Sequence, residues 1–275
     1  MRFKSPAGVH PLEPVRFGSD LNPDGPRVNN FTQYGSVWFR LSLTIRRLLA
    51  GKEIMSITLS TGPSVWTLDL GENENLFSPK FLTEIDHALD AITNSSEPAA
   101  LMITATGKFF SNGLDLASLQ PNDGEWDAHV LAVQLMFARV LTLPVPTVCA
   151  INGHCFAAGA MLALACDYRV MRTERGFFCI PAIDLKIPLA VGMVSLIQSK
   201  LTPRTAFDVI TTGWRYNAPA ARESGIVDAI CDAKDLINVA KGMVANLAGK
   251  DRATLGTIKS TMFAGVVADL AGPLS

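Results

Sequence analysis

The stretch "PTVCAINGHCFAAGAMLALACDYRVM", residues 146–171, carries most of the information about fold. It opens with an apolar run ending in Asn152-Gly153, continues through the small residues Ala157-Ala158-Gly159-Ala160, and closes on an apolar segment followed by Asp167. An apolar run of this length reads as a strand covered on both faces, and the small residues open a helix. Amides in the first turn of a helix have no internal acceptor and bind developing negative charge, while small side chains admit a ligand to them. Tight packing of a helix on a sheet explains the same residues equally well.

Working outward, strand-like and helix-like segments alternate on both sides. "SVWTLDLG" (64–71) has the two-residue period of a strand, and "SPKFLTEIDHALDAIT" (78–93) sets Phe81, Ile85, Leu89 and Ile92 on one helical stripe. Ser78 stands there as N-cap, with Pro79 in the first helical position. "AALMITATG" (99–107) is a second buried strand, and a helix is predicted from Trp126 to Leu141. "DYRVMRT" and "GFFCI" read as short strands, "LAVGMVSLIQSKL" and "PRTAFDVITTG" as helices, and the tail after Ile230 as helical. Repeated strand-helix units imply α/β layering with parallel pairing and right-handed crossovers.

Residues 1–54 differ: "SPAGVHPLEPVRFGSDLNPDGPRVNN" is dense in Pro, Gly and Asn and reads as extended or disordered. "VWFRLSLTIRRLLAGK" (37–52) has the pattern of a short basic amphipathic helix, but the acids and prolines before it fit a transit peptide poorly. Met55 begins a segment that already reads as a domain start, so targeting and an over-extended reading frame both stay open. The expected division is an extension over 1–54, a core over 55–230 and a helical C-terminal region over 231–275.

Composition excludes several classes. With 48% hydrophobic and 18% charged residues the chain is globular, and a net charge of −1 without any Lys/Arg-rich run leaves no footprint for a nucleic-acid backbone. The longest apolar run, Cys155 to Cys166, is too short to span a bilayer. Five cysteines without a C-x-x-C pair read as buried thiols of a reducing compartment rather than as disulfides. No phosphate-binding G-x-x-x-x-G-K-[ST], G-x-G-x-x-G, nucleophile elbow or metal-ligand cluster occurs.

A second segment, "GKFFSNGLDLASL" (107–119), also leaves an apolar strand and turns at Asn112-Gly113. Glycine there permits close backbone approach and leaves the next amide free to point outward, although an ordinary turn accounts for it as well. Two such turns, each following a buried strand, are what an oxyanion hole split between two loops requires.

Together "GKFFSNGLDL", "PTVCAINGHCFAAGAMLALACDYRVM" and "ARESGIVDAI" resemble the crotonase (enoyl-CoA hydratase/isomerase) superfamily, in uninterrupted order over roughly residues 56–265. Within it, the "KFFSNGLDL" wording is most similar to peroxisomal enoyl-CoA isomerases of plants and other eukaryotes. The resemblance implies a crotonase-like α/β spiral of ββα units in two sheets, with a helical C-terminal trimerisation region that builds homotrimers or hexamers. It implies an acyl-CoA or enoyl-CoA thioester as ligand, no metal or organic cofactor, no nucleic acid and no membrane span. It implies a peroxisomal location, and a cytoplasmic one otherwise, although the chain ends in "AGPLS" rather than S-K-L.

Carried over residue by residue, the resemblance makes the amides of Leu114 and Ala158 the oxyanion hole. Ser111, Asn112, Gly113, Leu116, Gly159, Met161 and Pro181 then belong to the substrate-binding wall, with Asp115 bracing the loop. The two family glutamates fall at Met161 and Ala182, which disfavours hydration. An isomerase needs one carboxylate, most often at the position of Ala182, and "PAIDLKI" (181–187) supplies a methyl group instead. Some divergent relatives place an acid further downstream, but "LKIPLAVGM" (185–193) contains none. Asp184 is the nearest acid, and strand alternation could set it on the face of position 182. The resemblance implies an acid there even beside the glutamate, so a structural role is the preferred reading and that of base a weak candidate. Cys179 and His154 are the other candidates, the first reading as inert core and the second as a residue bonded to local backbone. The expected activity is enoyl-CoA isomerisation from 3-enoyl to 2-enoyl thioester. A non-catalytic acyl-CoA-binding or assembly subunit and another crotonase chemistry such as thioester hydrolysis are the alternatives.

Overall fold

The computed structural model describes residues 9–10, 57–97, 99–116 and 125–273. The amphipathic helix expected over 37–52 lies outside them, as does most of the 1–54 extension. Val9–His10 (β1) is extended and pairs antiparallel with a strand of the core.

Along the chain follow β2 (Thr58–Ser60), β3 (Val65–Asp69), β4 (Leu76–Phe77) and helix α1 (Pro79–Asn94). Ser78 Oγ accepts the Phe81 amide at 3.2 Å and Pro79 occupies the first turn, so the start of α1 is the expected cap. Phe81, Ile85, Leu89 and Ile92 are all buried along its inner face.

The next segment repeats one unit. β5 (Ala100–Thr104) is followed by β6 (Phe109–Ser111), the short β7 (Gly113–Leu114) and helix α2 (Glu125–Leu141). β8 (Thr147–Ile151) is followed by β9 (His154–Phe156) and helix α3 (Ala158–Ala165). β10 (Tyr168–Arg172) is followed by β11 (Phe178–Cys179) and the single helical turn α4 (Ala182–Leu185). The first strand of each unit lies in a six-stranded sheet and the second in a five-stranded one, so β5, β8, β10 and β6, β9, β11 step along the two sheets in parallel. β5 and β8 are buried at every position, which is why both read as unbroken apolar runs.

The chain closes through α5 (Val191–Lys200), α6 (Pro203–Thr212), β12 (Arg215–Tyr216), α7 (Ala218–Glu223), β13 (Ala229–Cys231) and helices α8 (Leu236–Ala245), α9 (Arg252–Met262) and α10 (Ala264–Leu270). α8 seals the outer face of the six-stranded sheet, placing Leu236, Ala240 and Val244 against Met102, Val148, Ala150 and Val170. All five cysteines are free thiols, four of them buried. Among the described residues no helix is long and apolar enough to cross a membrane, and no cluster of metal-ligating side chains occurs.

Candidate active site

The turn after β6 is built by side chains pinning backbone. Ser111 Oγ donates to the Asn75 carbonyl at 2.8 Å and accepts the Gly113 amide at 3.1 Å, while Asn75 Nδ2 donates to the Phe110 carbonyl at 2.9 Å. Gly113 takes φ +88°, a conformation glycine adopts without steric cost, and β7 then lies beside β4 with Leu114 opposite Phe77.

The turn after β9 is built by strained backbone. Ala157 has φ 51° and ψ −123°, unusual for a residue with a side chain, and its amide donates to the Cys179 carbonyl at 2.9 Å. Ala158 follows as the first residue of α3, one of the first-turn positions whose amides find no acceptor within a helix.

These turns meet at two glycines. A β-carbon on Gly113 would lie 2.9 Å from both the Ala158 nitrogen and the Ala157 Cβ, and one on Gly159 would lie 2.6 Å from the Ser111 Cβ. Leu114 and Ala158 therefore come together on one cavity of about 300 Å³. Asn112, Leu116, Ala157 and Met161 complete that wall. Trp126, Asp127 and Val130 of α2 form a second, and the segment from Ile180 to Met193, Ala182 included, forms a third. Among the described residues the lining is apolar apart from Asn112 and Asp127, which suits an acyl chain with few polar anchors.

The remaining expected site residues sit elsewhere. Ser111, Gly113 and Gly159 are structural elements of the convergence rather than parts of the cavity wall. Asp115 is buried off the cavity, and Pro181 only precedes α4. The expectation for Asp184 is corrected: residues 182–185 are a helical turn, not a strand, and positions two apart on a helix point to different sides. Its carboxylate instead abuts Gly213, where an added β-carbon would be 2.1 Å from Oδ2.

Cys179 Sγ donates to the Gly213 carbonyl at 3.3 Å, and burial pushes its thiol pKa up to about 12, so it is inert core. His154 makes no local backbone bond through Nδ1, contrary to expectation, and packs among the rings of Phe109, Phe156 and Phe177. Burial, with Lys108, Arg215 and Arg175 nearby, holds its pKa below the usual histidine value. Sequence reading missed Asp127 and Asn75. Asn75 carries φ 50° and a buried side chain, and only the Asn in "ENENLF" hinted at it.

The family model for enoyl-CoA hydratase/isomerase matches residues 60–272. Enoyl-CoA delta isomerase 1, peroxisomal, of Arabidopsis thaliana is 32% identical over 162 residues, covering 58% of this chain and 68% of that protein. Enoyl-CoA delta isomerase 3 of the same plant is 31% identical over 188 residues, covering 66% and 79%. Among solved structures, human mitochondrial delta3-delta2-enoyl-CoA isomerase superposes with a TM-score of 0.74 at 22% identity, covering 78% of this chain and 86% of that one. An enoyl-CoA hydratase/isomerase family protein from Pseudomonas syringae superposes with a TM-score of 0.74 at 20% identity, covering 80% and 95%.

Proposed function

The chain belongs to the enoyl-CoA hydratase/isomerase family, and from that membership we propose that it binds an enoyl-CoA thioester and moves its double bond from the 3,4 to the 2,3 position. The observation that carries this reading is the shared cavity of Leu114 and Ala158 at the meeting of two loops. The thioester oxygen sits between their two amides. Removal of a proton from C2 sends charge onto that oxygen, and a preorganised donor stabilises the resulting enolate by about 3 to 4 kcal/mol in the transition state. The thioester is its own electron sink, so the reaction calls for no cofactor.

Met161 and Ala182 line the cavity where hydration needs two carboxylates, which favours isomerisation over water addition. The same two side chains support a second reading, an acyl-CoA-binding subunit without turnover. The names of the plant relatives support a peroxisomal location, and Ile258 and Met262, exposed one turn apart on α9, offer an apolar strip for self-assembly into trimers.

The test measures hexanoyl-CoA binding by calorimetry and conversion of 3-hexenoyl-CoA to 2-hexenoyl-CoA. Binding with turnover supports isomerisation. Binding without turnover, across thioesters of several chain lengths, favours the binding subunit, and release of free CoA indicates hydrolysis. Ala182→Glu restores the family carboxylate and is expected to raise isomerisation by orders of magnitude.

A further inference from the structure

We propose that Asp127 is the base that carries the proton, an assignment that rests on the isomerase reading above. Among the described residues, Asp127 is the one carboxylate lining the cavity that also holds Leu114, Ala158 and Ala182. It stands in the first turn of α2, and with Trp126 and Val130 it forms the part of that helix that borders the cavity. Asp127 precedes Val130 by three positions, a spacing that shares a helical face, so packing Val130 against the acyl chain turns Asp127 toward the same space. α2 is held in place from outside the cavity: Arg139 bridges Asp86 and Asp90 of α1.

Three further acids among the described residues lie off the cavity. Asp184 abuts Gly213, Asp115 is buried off the cavity, and Glu125, the other acid of the first turn of α2, does not line it. Ala182, at the position where the family resemblance implies a glutamate, and Asp127 thus border one volume from different walls.

The step balances without a co-reactant. The C2–H bond breaks, its proton passes to a carboxylate oxygen of Asp127, and its electron pair enters the thioester held by the Leu114 and Ala158 amides. As the electrons return, the double bond moves from C3–C4 to C2–C3, and Asp127 gives the proton to C4. Asp127 ends as it began.

The experiment compares wild type, Asp127→Asn, Asp127→Glu and Glu125→Gln for turnover of 3-hexenoyl-CoA and for hexanoyl-CoA affinity, with melting curves for each. Asp127→Asn is expected to lower kcat by about a hundred- to ten-thousandfold with affinity changed less than about threefold, since a general base contributes on that scale. Asp127→Glu retains part of the rate, Glu125→Gln all of it, and Ala182→Glu added to Asp127→Asn recovers turnover. Full turnover by a folded Asp127→Asn protein overturns the assignment and leaves the isomerase reading intact. A wild-type protein that binds thioester and isomerises nothing overturns both.

Discussion

Gly159 faces Ser111 so closely that a β-carbon at position 159 would stand 2.6 Å from the Ser111 Cβ, 2.7 Å from its carbonyl oxygen and 2.8 Å from its Oγ. This contact sets the spacing of the two loops that carry Leu114 and Ala158, because Ser111 also pins Asn75 and Gly113. Gly159→Ala, a change that raises helix propensity, is expected to destabilise by about 2 kcal/mol, since overpacking against fixed backbone outweighs propensity. Gly242→Ala on α8, where nothing lies within 4 Å of the new carbon, provides the opposite sign, a gain of up to about 1 kcal/mol. Urea midpoints of the two variants on opposite sides of wild type confirm the contact; equal midpoints refute it.

Ala157 holds φ 51° and ψ −123° immediately before the amide that is proposed to bind the thioester oxygen. A side chain in such a conformation costs about 1 to 3 kcal/mol, whereas glycine adopts it freely and gives back about 0.5 to 1 kcal/mol through its more flexible unfolded state. Ala157→Gly is therefore expected to stabilise by about 1 kcal/mol, read as a higher urea midpoint at unchanged slope. A loss of stability would show that the methyl group packs usefully on the cavity wall.

Much of the fold was legible because its signals are local. β5 and β8 are buried at every position and apolar at all but one threonine each, and the cap and stripe of α1 are written in Ser78, Pro79, Phe81, Ile85, Leu89 and Ile92. Less was legible where geometry depends on distant partners. "PAIDL" carries β-branched and apolar residues compatible with a strand, yet the chain turns helically there, closing on Lys186 at φ 57°. That single turn separates Asp184 from Ala182. Asp127 was unreadable as a site residue because nothing in the helical pattern of α2 says which wall of which cavity its first turn will form.

His154 supplies a pH dependence whose sign follows from its environment. Burial first, then Lys108, Arg215 and Arg175, depress its pKa in the folded protein below the unfolded value near 6.5. The unfolded chain therefore binds a proton more readily, and the stability associated with neutral His154 is fully present above about pH 6.5 and lost as pH falls toward the folded pKa. Urea unfolding between about pH 7.5 and pH 5 should show stability dropping with acidity, and His154→Phe, which suits the surrounding phenylalanine rings, should flatten that part of the slope. An identical slope in the variant would assign the pH dependence to other groups.

Lys259 on α9 reaches into the core, where Nζ donates to Asp167 Oδ2 at 2.6 Å and to the Val145 carbonyl at 2.9 Å. Asp167 is in turn locked to Thr147, accepting its amide and donating its own to the hydroxyl, each at 2.8 Å. One ion pair thus ties the C-terminal helices to the start of β8 and the end of α3. Removing only the cation leaves a largely buried carboxylate without its partner, so Lys259→Met is expected to cost on the order of 3 kcal/mol. Pairing it with Asp167→Asn removes the orphaned charge while keeping an acceptor for Thr147, and the double variant should recover more than about 1 kcal/mol. Limited proteolysis locates the damage: the Lys259→Met protein should be cut first near α9 and α10, ahead of the sheets. Strictly additive losses in the two single variants would mean that the pair contributes nothing as a pair.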